Sequence, residues 1–423
     1  MSALRFAMVT TFYPPYNFGG DGIAIQRLSR ALVRRGHHVT VFHDTDAYRV
    51  LAPGAAPEAQ QEQGQEPRGL EVRRLRSALG RISPLLTHQV GRPVVHGRRI
   101  RRELMSGDFD IVHFHNVSLV GGPGILASGD GIKVYEAHDH WLVCPTHVLW
   151  RHGREPCEER QCVRCVLRHR RPLQLWRETG HLERKLRHVD VFIAKSEFSR
   201  RKHREFGFPR DMQVLPYFLP EPETSVEPAP SPHPRPYFLF VGRLERIKGL
   251  DEVIPAFREY GGADLLVAGD GEHGPSLRAM ADGIPRVRFL GRVDAEALDS
   301  YYEHAIALVV PSVCFETFGI VLIEAFRHGK PVIARRIGPF PEIIEQSAGG
   351  LLFDDNEQLV AAMDSLRKDD ALRRDMGAAA RDSFSRLWSE DAVIPRYLEI
   401  LRRAAERRGM SRLAKNLTLE SAA

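Results

Sequence analysis

The chain opens with an apolar segment, a glycine-rich loop and an amphipathic segment, in that order. Residues 4–11, LRFAMVTT, are mostly apolar and predict a β-strand, and the loop FYPPYNFGGDG follows. Beyond the loop, Ile23, Leu28, Ala31 and Leu32 recur at helical spacing. VTVFHD then predicts a second strand. This opening is a βαβ unit, which is typical of a parallel, doubly wound sheet.

Short apolar runs continue through both halves of the chain. In the first half they predict strands at DIVHFHN, IKVYEAHD, VDVFIAKS and MQVLPYF. In the second half they predict strands at YFLFVGR, ADLLVAGDG, VRFLGRV, IALVVPS and PVIARRIG. We expect arginine-rich segments such as EVRRLRSALGR to form helices and loops between the strands. The fold class is therefore α/β, with two Rossmann-like, doubly wound parallel sheets.

A proline-rich segment, PEPETSVEPAPSPHPRP, separates the two series of strands. Its proline density excludes a regular helix or ladder and favours an extended connector. A chain of 423 residues also exceeds what one core usually organises. The predicted organisation is a first domain over 1–220, a linker over 221–236, a second domain over 237–385, a C-terminal helix over 386–410 that packs back towards the first domain, and a frayed tail over 411–423.

Composition and charge further limit the classes of protein that the sequence can represent. The hydrophobic fraction of 43% and the charged fraction of 27% are those of a folded globular protein. The net charge of +6 comes largely from arginine. A basic surface can bind phosphates, acidic head groups or nucleic acid, and the charge alone does not distinguish these partners. The N-terminus lacks signal-peptide features and no apolar run is long enough to span a bilayer, so we expect a cytoplasmic protein with peripheral contact at the inner face of an anionic membrane.

Two carboxylates, Glu316 and Glu324, flank the apolar core FGIVLIEA with seven residues between them. Glu316 is predicted in the loop after a strand, and Phe318, Gly319 and Ile320 at the start of a helix. The free amides of a helix N-terminus can bind an anion. One carboxylate can then meet sugar hydroxyls and the other ribose hydroxyls, whereas a purely structural interpretation makes Glu316 a helix-start carboxylate.

Four motifs in this order, VGRLERIKGL, AGDGE, FLGRV and the E-x7-E segment, carry a family resemblance. The chain resembles the retaining glycosyltransferases of family four, the large group-one family with the GT-B fold. The resemblance runs from the first strand to the terminal helix. It implies two Rossmann-like domains facing across a cleft, a nucleotide-diphosphate sugar as donor, retention of anomeric configuration and no catalytic metal.

The resemblance also assigns roles to particular residues. The catalytic residues it implies are Glu316, His115, Arg243 and Lys248, with the two cations neutralising the leaving diphosphate. The donor-binding residues it implies are Gly19, Gly20, Arg243, Lys248, Gly269, Arg292, Glu316, Phe318, Gly319, Ile320 and Glu324. On the acceptor side it implies His115, His138 and Asp139. The histidines have packing or capping as the alternative role.

Two DxD sequences raise the alternative of a metal-dependent enzyme. DFD at Asp108 precedes its strand, at the sheet edge away from ligands. DTD at Asp44 follows a strand, but no nearby residue in the sequence supplies a further ligand. We interpret both as incidental.

Four cysteines, Cys144, Cys157, Cys162 and Cys165, lie within one arginine- and glutamate-rich segment. Such a cluster in a cytosolic protein suits a structural zinc, since disulfides are rare there. Free or redox-active thiols are the alternative. The first two cysteines are spaced too widely for a standard zinc ribbon.

The function indicated is therefore transfer of a sugar to a saccharide or lipid-linked acceptor hydroxyl, in cell-envelope, exopolysaccharide or glycoconjugate biosynthesis, without a nucleic-acid partner. One rival is a nucleic-acid-binding protein that uses the four cysteines and the basic surface. The other is a Rossmann oxidoreductase or epimerase acting on nucleotide sugars. The glycine loop NFGGDG is not the GxGxxG of a dinucleotide fold, and the chain lacks the Tyr-x-x-x-Lys pattern expected of the second rival.

Overall fold

A computed structural model describes residues 3–51, 66–221 and 230–421 of the chain. The chain divides into two compact units. Met1–Pro216 and Ile394–Ala423 form the first unit, and Tyr217–Val393 form the second. Half of the predicted linker, residues 222–229, lies outside the described residues.

The first unit is built on a parallel sheet. In chain order, the strands described in this unit are β1 (Arg5–Thr10), β2 (His38–Asp44), β3 (Leu70–Leu75), β4 (Ile111–Phe114), β5 (Ile132–Ala137), β6 (Trp150–Arg151), β7 (Glu155–Pro156), β8 (Val191–Ala194) and β9 (Met212–Val214). Seven of them form one sheet in the order β3-β2-β1-β4-β5-β8-β9. Strands β6 and β7 form a separate antiparallel hairpin.

Helices connect these strands. Those described in the first unit before residue 216 are α1 (Gly20–Arg34), α2 (Thr45–Leu51), α3 (Ile82–Val90), α4 (Gly97–Ser106), α5 (Cys162–Arg168), α6 (His181–Leu186) and α7 (Glu197–Glu205). On α1 the buried positions Ile25, Leu28 and Leu32 recur every three or four residues. This spacing places one apolar face of α1 against the sheet.

The second unit repeats the same architecture. Its described strands are β10 (Tyr237–Val241), β11 (Asp264–Ala268), β12 (Val287–Gly291), β13 (Leu308–Val310), β14 (Val332–Arg335) and β15 (Gly350–Phe353). They pair in parallel in the order β12-β11-β10-β13-β14-β15. Its described α-helices are α8 (Leu250–Val253), α9 (Gly274–Met280), α10 (Ala295–His304), α11 (Ile320–Arg327), α12 (Phe340–Ser347), α13 (Asn356–Lys368) and α14 (Asp370–Leu387).

The central strands are buried on both faces, as parallel sheets covered by helices require. Every residue of β4, β8, β11 and β13 is buried. This burial explains why continuous apolar runs, and not alternating ones, mark these strands in the sequence. Both predicted Rossmann-like domains are confirmed.

Strand β3 corrects the expectation that EVRRLRSALGR would form only helix and loop. Residues Leu70–Leu75 pair with β2 at the edge of the sheet. Leu70 and Leu75 are buried, whereas Arg73 and Arg74 are exposed. An edge strand needs few apolar residues, because one of its sides has no neighbouring strand.

The C-terminus also differs from the expected frayed tail. Helix α15 (Glu390–Arg407) is followed by α16 (Ser411–Ser421). Leu413, Ala414 and Leu417 on α16 are buried. Their three- and four-residue spacing gives α16 an apolar face that packs, and this packing orders the segment. No helix in the described ranges combines the length and apolar character that crossing a membrane requires.

Candidate functional site

The centre of the candidate site in the second unit is an ion pair between Lys248 and Glu316. Lys248 ends a short 3-10 turn after β10, and Glu316 lies in the loop between β13 and α11. The Lys248 Nζ donates to Glu316 Oε1 at 2.6 Å, and the Ser312 hydroxyl donates to the same oxygen at 3.0 Å. The two charged side chains are 23% and 22% exposed. Residues 68 apart in the chain thus form an ion pair that solvent can reach.

Both members of this pair are charged at neutral pH. Burial alone would raise the pKa of Glu316, but the Lys248 ammonium and the two hydrogen bonds bring the pKa below its usual value. Burial alone would lower the pKa of Lys248, but Glu316 raises it above the usual value. Burial and the charge of Glu316 raise the pKa of Cys314 to about 12, so that thiol is neutral.

Arg243 lies in the loop that follows β10, next to the pair. Its Nη1 is 2.5 Å from Glu245 Oε1, and its guanidinium is largely exposed. The charge of Arg243 is also close enough to lower the pKa of Glu316. The structure therefore brings Arg243, Lys248 and Glu316 together in the second unit.

Further predicted donor residues lie at the same edge of the second sheet. Arg243, Gly269, Arg292 and Glu316 each follow the C-terminal end of a different strand, and in a parallel sheet those ends share one edge. Gly269 has φ 138°, and a Cβ there would overlap the carbonyl oxygen of Gly242. Only glycine allows these two loops to approach so closely.

The start of α11 has a similar requirement. Gly319 precedes the helix with φ 118°, and a Cβ there would lie 2.8 Å from the Phe340 ring. Phe318 is buried and packs edge-on against Tyr217, with ring centroids 5.7 Å apart. Ile320 is the first residue of α11. The N-terminus of α11 therefore directly follows the loop that contains Glu316.

Glu324 lies on α11, but within the second unit it does not share the contacts of Glu316. Its Oε2 accepts a hydrogen bond from the Tyr302 hydroxyl at 3.0 Å. No local sequence pattern marks this tyrosine, because the contact depends on how α10 packs beside α11. One carboxylate oxygen of Glu324 is thus engaged by the protein itself.

In the first unit, the glycine loop leads directly into α1. The helix begins at Gly20, and the preceding Gly19 has φ 154°. Asp21 stands in the first turn, and its Oδ1 accepts the Gly22 backbone N–H at 2.9 Å. A carboxylate therefore already occupies part of the anion-binding position that the sequence assigned to this helix start.

The predicted acceptor-side histidine His115 lies in a buried polar network at the ends of β4 and β5. Its Nδ1 is 2.9 Å from His138 Nε2, and its Nε2 is 3.5 Å from Met8 Sδ. Both imidazole rings are almost entirely buried. His115 therefore contacts other protein groups, and its side chain is not exposed to solvent.

The network centres on Glu136 and Lys195, an ion pair that the sequence analysis missed. Their side chains are 4% and 3% exposed. Glu136 Oε2 lies 3.1 Å from His113 Nε2 and 3.7 Å from His115 Nδ1. The only signal in the sequence was a single charged residue near the end of each of two apolar strands, YEA and FIAK.

Burial and neighbouring charges fix the ionisation of this network. Burial and the nearby His113 hold the pKa of His115 well below its usual value, so its ring is neutral. Burial alone would raise the pKa of Glu136, but Lys195, His138 and His113 lower it well below the usual value. The Tyr397 hydroxyl lies 3.0 Å from His113 Nδ1 and connects α15 to the network.

Asp139, the third predicted acceptor-side residue, is held by its own loop. Its Oδ1 accepts the Trp141 backbone N–H at 2.8 Å, and its Oδ2 lies 2.8 Å from His147 Nδ1. Burial alone would raise the pKa of Asp139, but the His147 charge and hydrogen bond lower it. The carboxylate is thus ionised and orders the turn after β5.

The four cysteines lie in one region of the first unit without forming a compact ligand set. Cys144, Cys157, Cys162 and Cys165 are all free thiols. Among the described residues, three or more His, Cys, Asp or Glu ligand atoms lie within 4.8 Å of one another in two groups, and neither contains a cysteine. The structural zinc therefore stays a prediction.

Comparisons with known proteins agree with this architecture. Residues 18–221 match the protein family described as "Glycosyltransferase Family 4". Residues 223–383 match the family described as "Glycosyl transferases group 1". Together they cover most of both units. The chain is a glycosyltransferase of this family.

Its relatives include characterised glycosyltransferases. The chain is 27% identical to a phosphatidyl-myo-inositol mannosyltransferase of Mycobacterium leprae over 398 residues, covering 89% of this chain and 92% of the relative. It is 30% identical to the lipopolysaccharide core biosynthesis glycosyltransferase LpsD of Rhizobium meliloti over 229 residues, covering 52% of this chain and 66% of that one.

Solved structures share the glycosyltransferase's GT-B fold. Sucrose-phosphate synthase from Thermosynechococcus elongatus has a TM-score of 0.71 at 20% identity, covering 95% of this chain and 98% of that one. Anabaena HepE in complex with UDP has a TM-score of 0.64 at 17% identity, covering 94% of this chain and 99% of that one. These similarities confirm the predicted fold class.

Proposed function

We propose that this glycosyltransferase moves a sugar from a nucleotide-diphosphate sugar to an acceptor hydroxyl with retention of anomeric configuration. The accessible Lys248–Glu316 pair beside Arg243 is the observation that carries the proposal. Two cations and a carboxylate at one sheet edge provide what a diphosphate leaving group and a sugar require. No resident catalytic metal has a part in this proposal.

Each charged group has a distinct role. Arg243 and Lys248 neutralise the negative charge that develops on the diphosphate as the bond to the anomeric carbon breaks. Glu316 accepts hydrogen bonds from sugar hydroxyls, and the amides at the start of α11 bind beside it. The acceptor oxygen attacks the anomeric carbon from the face that the diphosphate leaves, and the departing phosphate oxygen takes the acceptor proton. No protein nucleophile is needed.

Similar proteins support a nucleotide-sugar donor. Anabaena HepE has been crystallised with UDP, with UDP and glucose, and with UDP-glucose. The relatives named for mannosyl transfer and for lipopolysaccharide core biosynthesis support a role in cell-envelope or other glycoconjugate assembly. A saccharide or lipid-linked acceptor then belongs to the first unit, on the side of His138 and Asp139.

Peripheral contact with an anionic membrane is part of the proposal. Between residues 79 and 105 the first unit exposes several large apolar side chains beside arginines. The exposed apolar residues are Leu79, Ile82, Leu85, Val90, Val94 and Met105, and the exposed arginines include Arg92, Arg98, Arg101 and Arg102. Binding to anionic vesicles that weakens as salt rises would support this contact, and absence of binding at low salt would refute it.

A structural zinc on the four cysteines is a separate part of the proposal. Cys162 and Cys165 lie three residues apart on α5, so both can face one ligand. The His152 backbone N–H lies 3.3 Å from Cys165 Sγ, a contact that would stabilise a thiolate. Metal analysis of protein purified under reducing conditions without chelator tests this site.

Calorimetry with UDP, GDP, ADP and TDP tests the donor site. We expect Arg243→Ala and Lys248→Ala each to weaken binding of the preferred nucleotide about tenfold or more, because each removes a charge-assisted contact. Arg246→Ala is the matched control, since this exposed arginine lies in the same turn and is given no role. Wild-type affinity in both site variants would refute the diphosphate assignment. NMR of the first-formed product decides between retention and inversion.

A further inference from the structure

The turn after β2 holds a buried cluster of ligand atoms that the sequence analysis set aside. Asp44 and Asp46 form the DTD sequence, for which no further ligand was apparent. The structure corrects this interpretation, because His96 at the start of α4 lies beside them. One ligand atom from each of the three residues lies within 4.8 Å of the others, and the residues are 1%, 0% and 6% exposed.

Each carboxylate is anchored through one oxygen only. Asp44 Oδ1 accepts the backbone N–H groups of Asp46 and Ala47 at 2.8 and 3.1 Å. Asp46 Oδ2 accepts both the backbone N–H and the hydroxyl of Ser77 at 2.8 Å. These bonds fix the orientation of both carboxylates, as outer hydrogen bonds do around metal ligands.

Three polar atoms of the cluster are left without a hydrogen bond although they are buried. They are Asp44 Oδ2, Asp46 Oδ1 and His96 Nε2. The contact of His96 Nε2 with Asp46 Oδ2, at 3.5 Å, is longer than an ordinary N–H···O hydrogen bond. Buried polar atoms in folded proteins nearly always have a partner, so each unpaired atom calls for a ligand.

The charge of the cluster points to a cation. Two adjacent carboxylates removed from water destabilise the fold by several kcal/mol each unless a positive charge compensates them.

We propose that Asp44, Asp46 and His96 bind one divalent metal ion that accepts mixed oxygen and nitrogen ligands, such as Zn²⁺ or Mn²⁺. Two carboxylates can balance the charge of such an ion, and His together with Asp is a ligand set that both metals use. One ligand atom from each residue gives three protein ligands, and water can complete the coordination of the ion.

The ion stabilises the first unit, and this role does not depend on the proposed sugar transfer. It joins the β2–α2 turn directly to the start of α4, and through Ser77 to the segment after β3. Lys248 and Glu316 belong to the other unit. The metal proposal therefore stands or falls independently of the proposed donor site.

Metal binding to the full chain tests the proposal. The protein carries Cys162→Ser and Cys165→Ser to weaken any zinc site at the cysteines, and it is stripped with a chelator and dialysed. Zn²⁺, Mn²⁺ or Mg²⁺ is then added singly while the melting temperature and the metal content are measured. We expect about one Zn²⁺ or Mn²⁺ per chain, a higher melting temperature, and a smaller effect of Mg²⁺, which prefers oxygen ligands alone.

Single substitutions of the ligands test the assignment. We expect Asp46→Asn and His96→Gln each to weaken Zn²⁺ binding at least about tenfold. Asp108→Asn in the second DxD sequence is the matched control and should bind like the parent. The proposal is overturned if neither Zn²⁺ nor Mn²⁺ raises the melting temperature of the stripped parent protein. It is also overturned if both ligand variants, folded by circular dichroism, retain the parent affinity.

Discussion

Each unit of the molecule contains a lysine–glutamate pair, and the two pairs differ in their exposure to solvent. Lys248 and Glu316 in the second unit are 23% and 22% exposed. Lys195 and Glu136 in the first unit are 3% and 4% exposed, and His113, His115 and His138 surround the carboxylate. The chemistry of the residues is the same, so their surroundings must set their roles.

A pair that solvent can reach can exchange partners, whereas a fully buried pair cannot do so without leaving a charge unpaired. A diphosphate can take the place of Glu316 beside Lys248, and sugar hydroxyls can take the place of Lys248 beside Glu316. Glu136 instead compensates a buried ammonium and orients neutral imidazole rings. The comparison therefore supports the proposal that the partly exposed pair binds the donor and that the buried pair positions the histidines.

The largest effect is expected for Glu136→Gln. The substitution leaves the Lys195 ammonium buried without its counter-charge, which costs about 3–5 kcal/mol of unfolding free energy. Denaturant unfolding measures this loss as a decrease in the free energy of the transition that is assigned to the first unit. We expect Glu136→Gln combined with Lys195→Met to recover most of it, because the pair is then removed together. A loss below about 1 kcal/mol in the single variant would show that the pair is not truly buried.

The next effect concerns turnover. Glu316→Gln keeps the shape of the side chain and removes the charge, and we expect turnover to fall about 10²–10³-fold, as for the loss of one preorganised catalytic contact. Its melting temperature should change little, because solvent reaches this pair. Glu345→Gln on the exposed face of α12 is the matched control. Unfolding without a specific loss of turnover would make Glu316 a structural residue and remove the contrast between the pairs.

The sequence predicted the exposed site better than the buried network. Arg243, Lys248 and Glu316 follow strands that apolar runs mark clearly, and parallel strands necessarily bring such loops to one edge. Glu136 and Lys195 are 59 residues apart, and their pairing depends on the register of β5 beside β8, which no local pattern encodes.

The same limit explains the other errors. His96 reaches the DTD turn only because α4 packs near the end of β2, a contact across 50 residues of chain. Strand β3 and helix α16 are stabilised by neighbours and not by their own composition. Local periodicity therefore recovered the central strands and the loops that follow them, whereas tertiary packing decided the edge strand, the C-terminal helix and the histidine network.

The smallest effect expected for a single residue is on the free energy of unfolding at acidic pH. This effect is expected to differ between the two units. Burial lowers the pKa of His43 and His140, both in the first unit, from 6.5 to about 3, with nearby positive charge adding to the shift. Below pH 6.5 the unfolded chain binds protons at these histidines while the folded chain does not. Their contribution to stability is thus fully present above pH 6.5 and is lost as the pH falls towards 3, at about 1.4 kcal/mol per pH unit for each ring.

Calorimetric unfolding between pH 7 and pH 5 should show the first unit losing stability faster than the second. His43→Leu should reduce that slope by about one proton, since both ring nitrogens of His43 are buried without a hydrogen bond. Equal slopes for the two units, or an unchanged slope in the variant, would contradict the assignment of neutral buried histidines to the first unit.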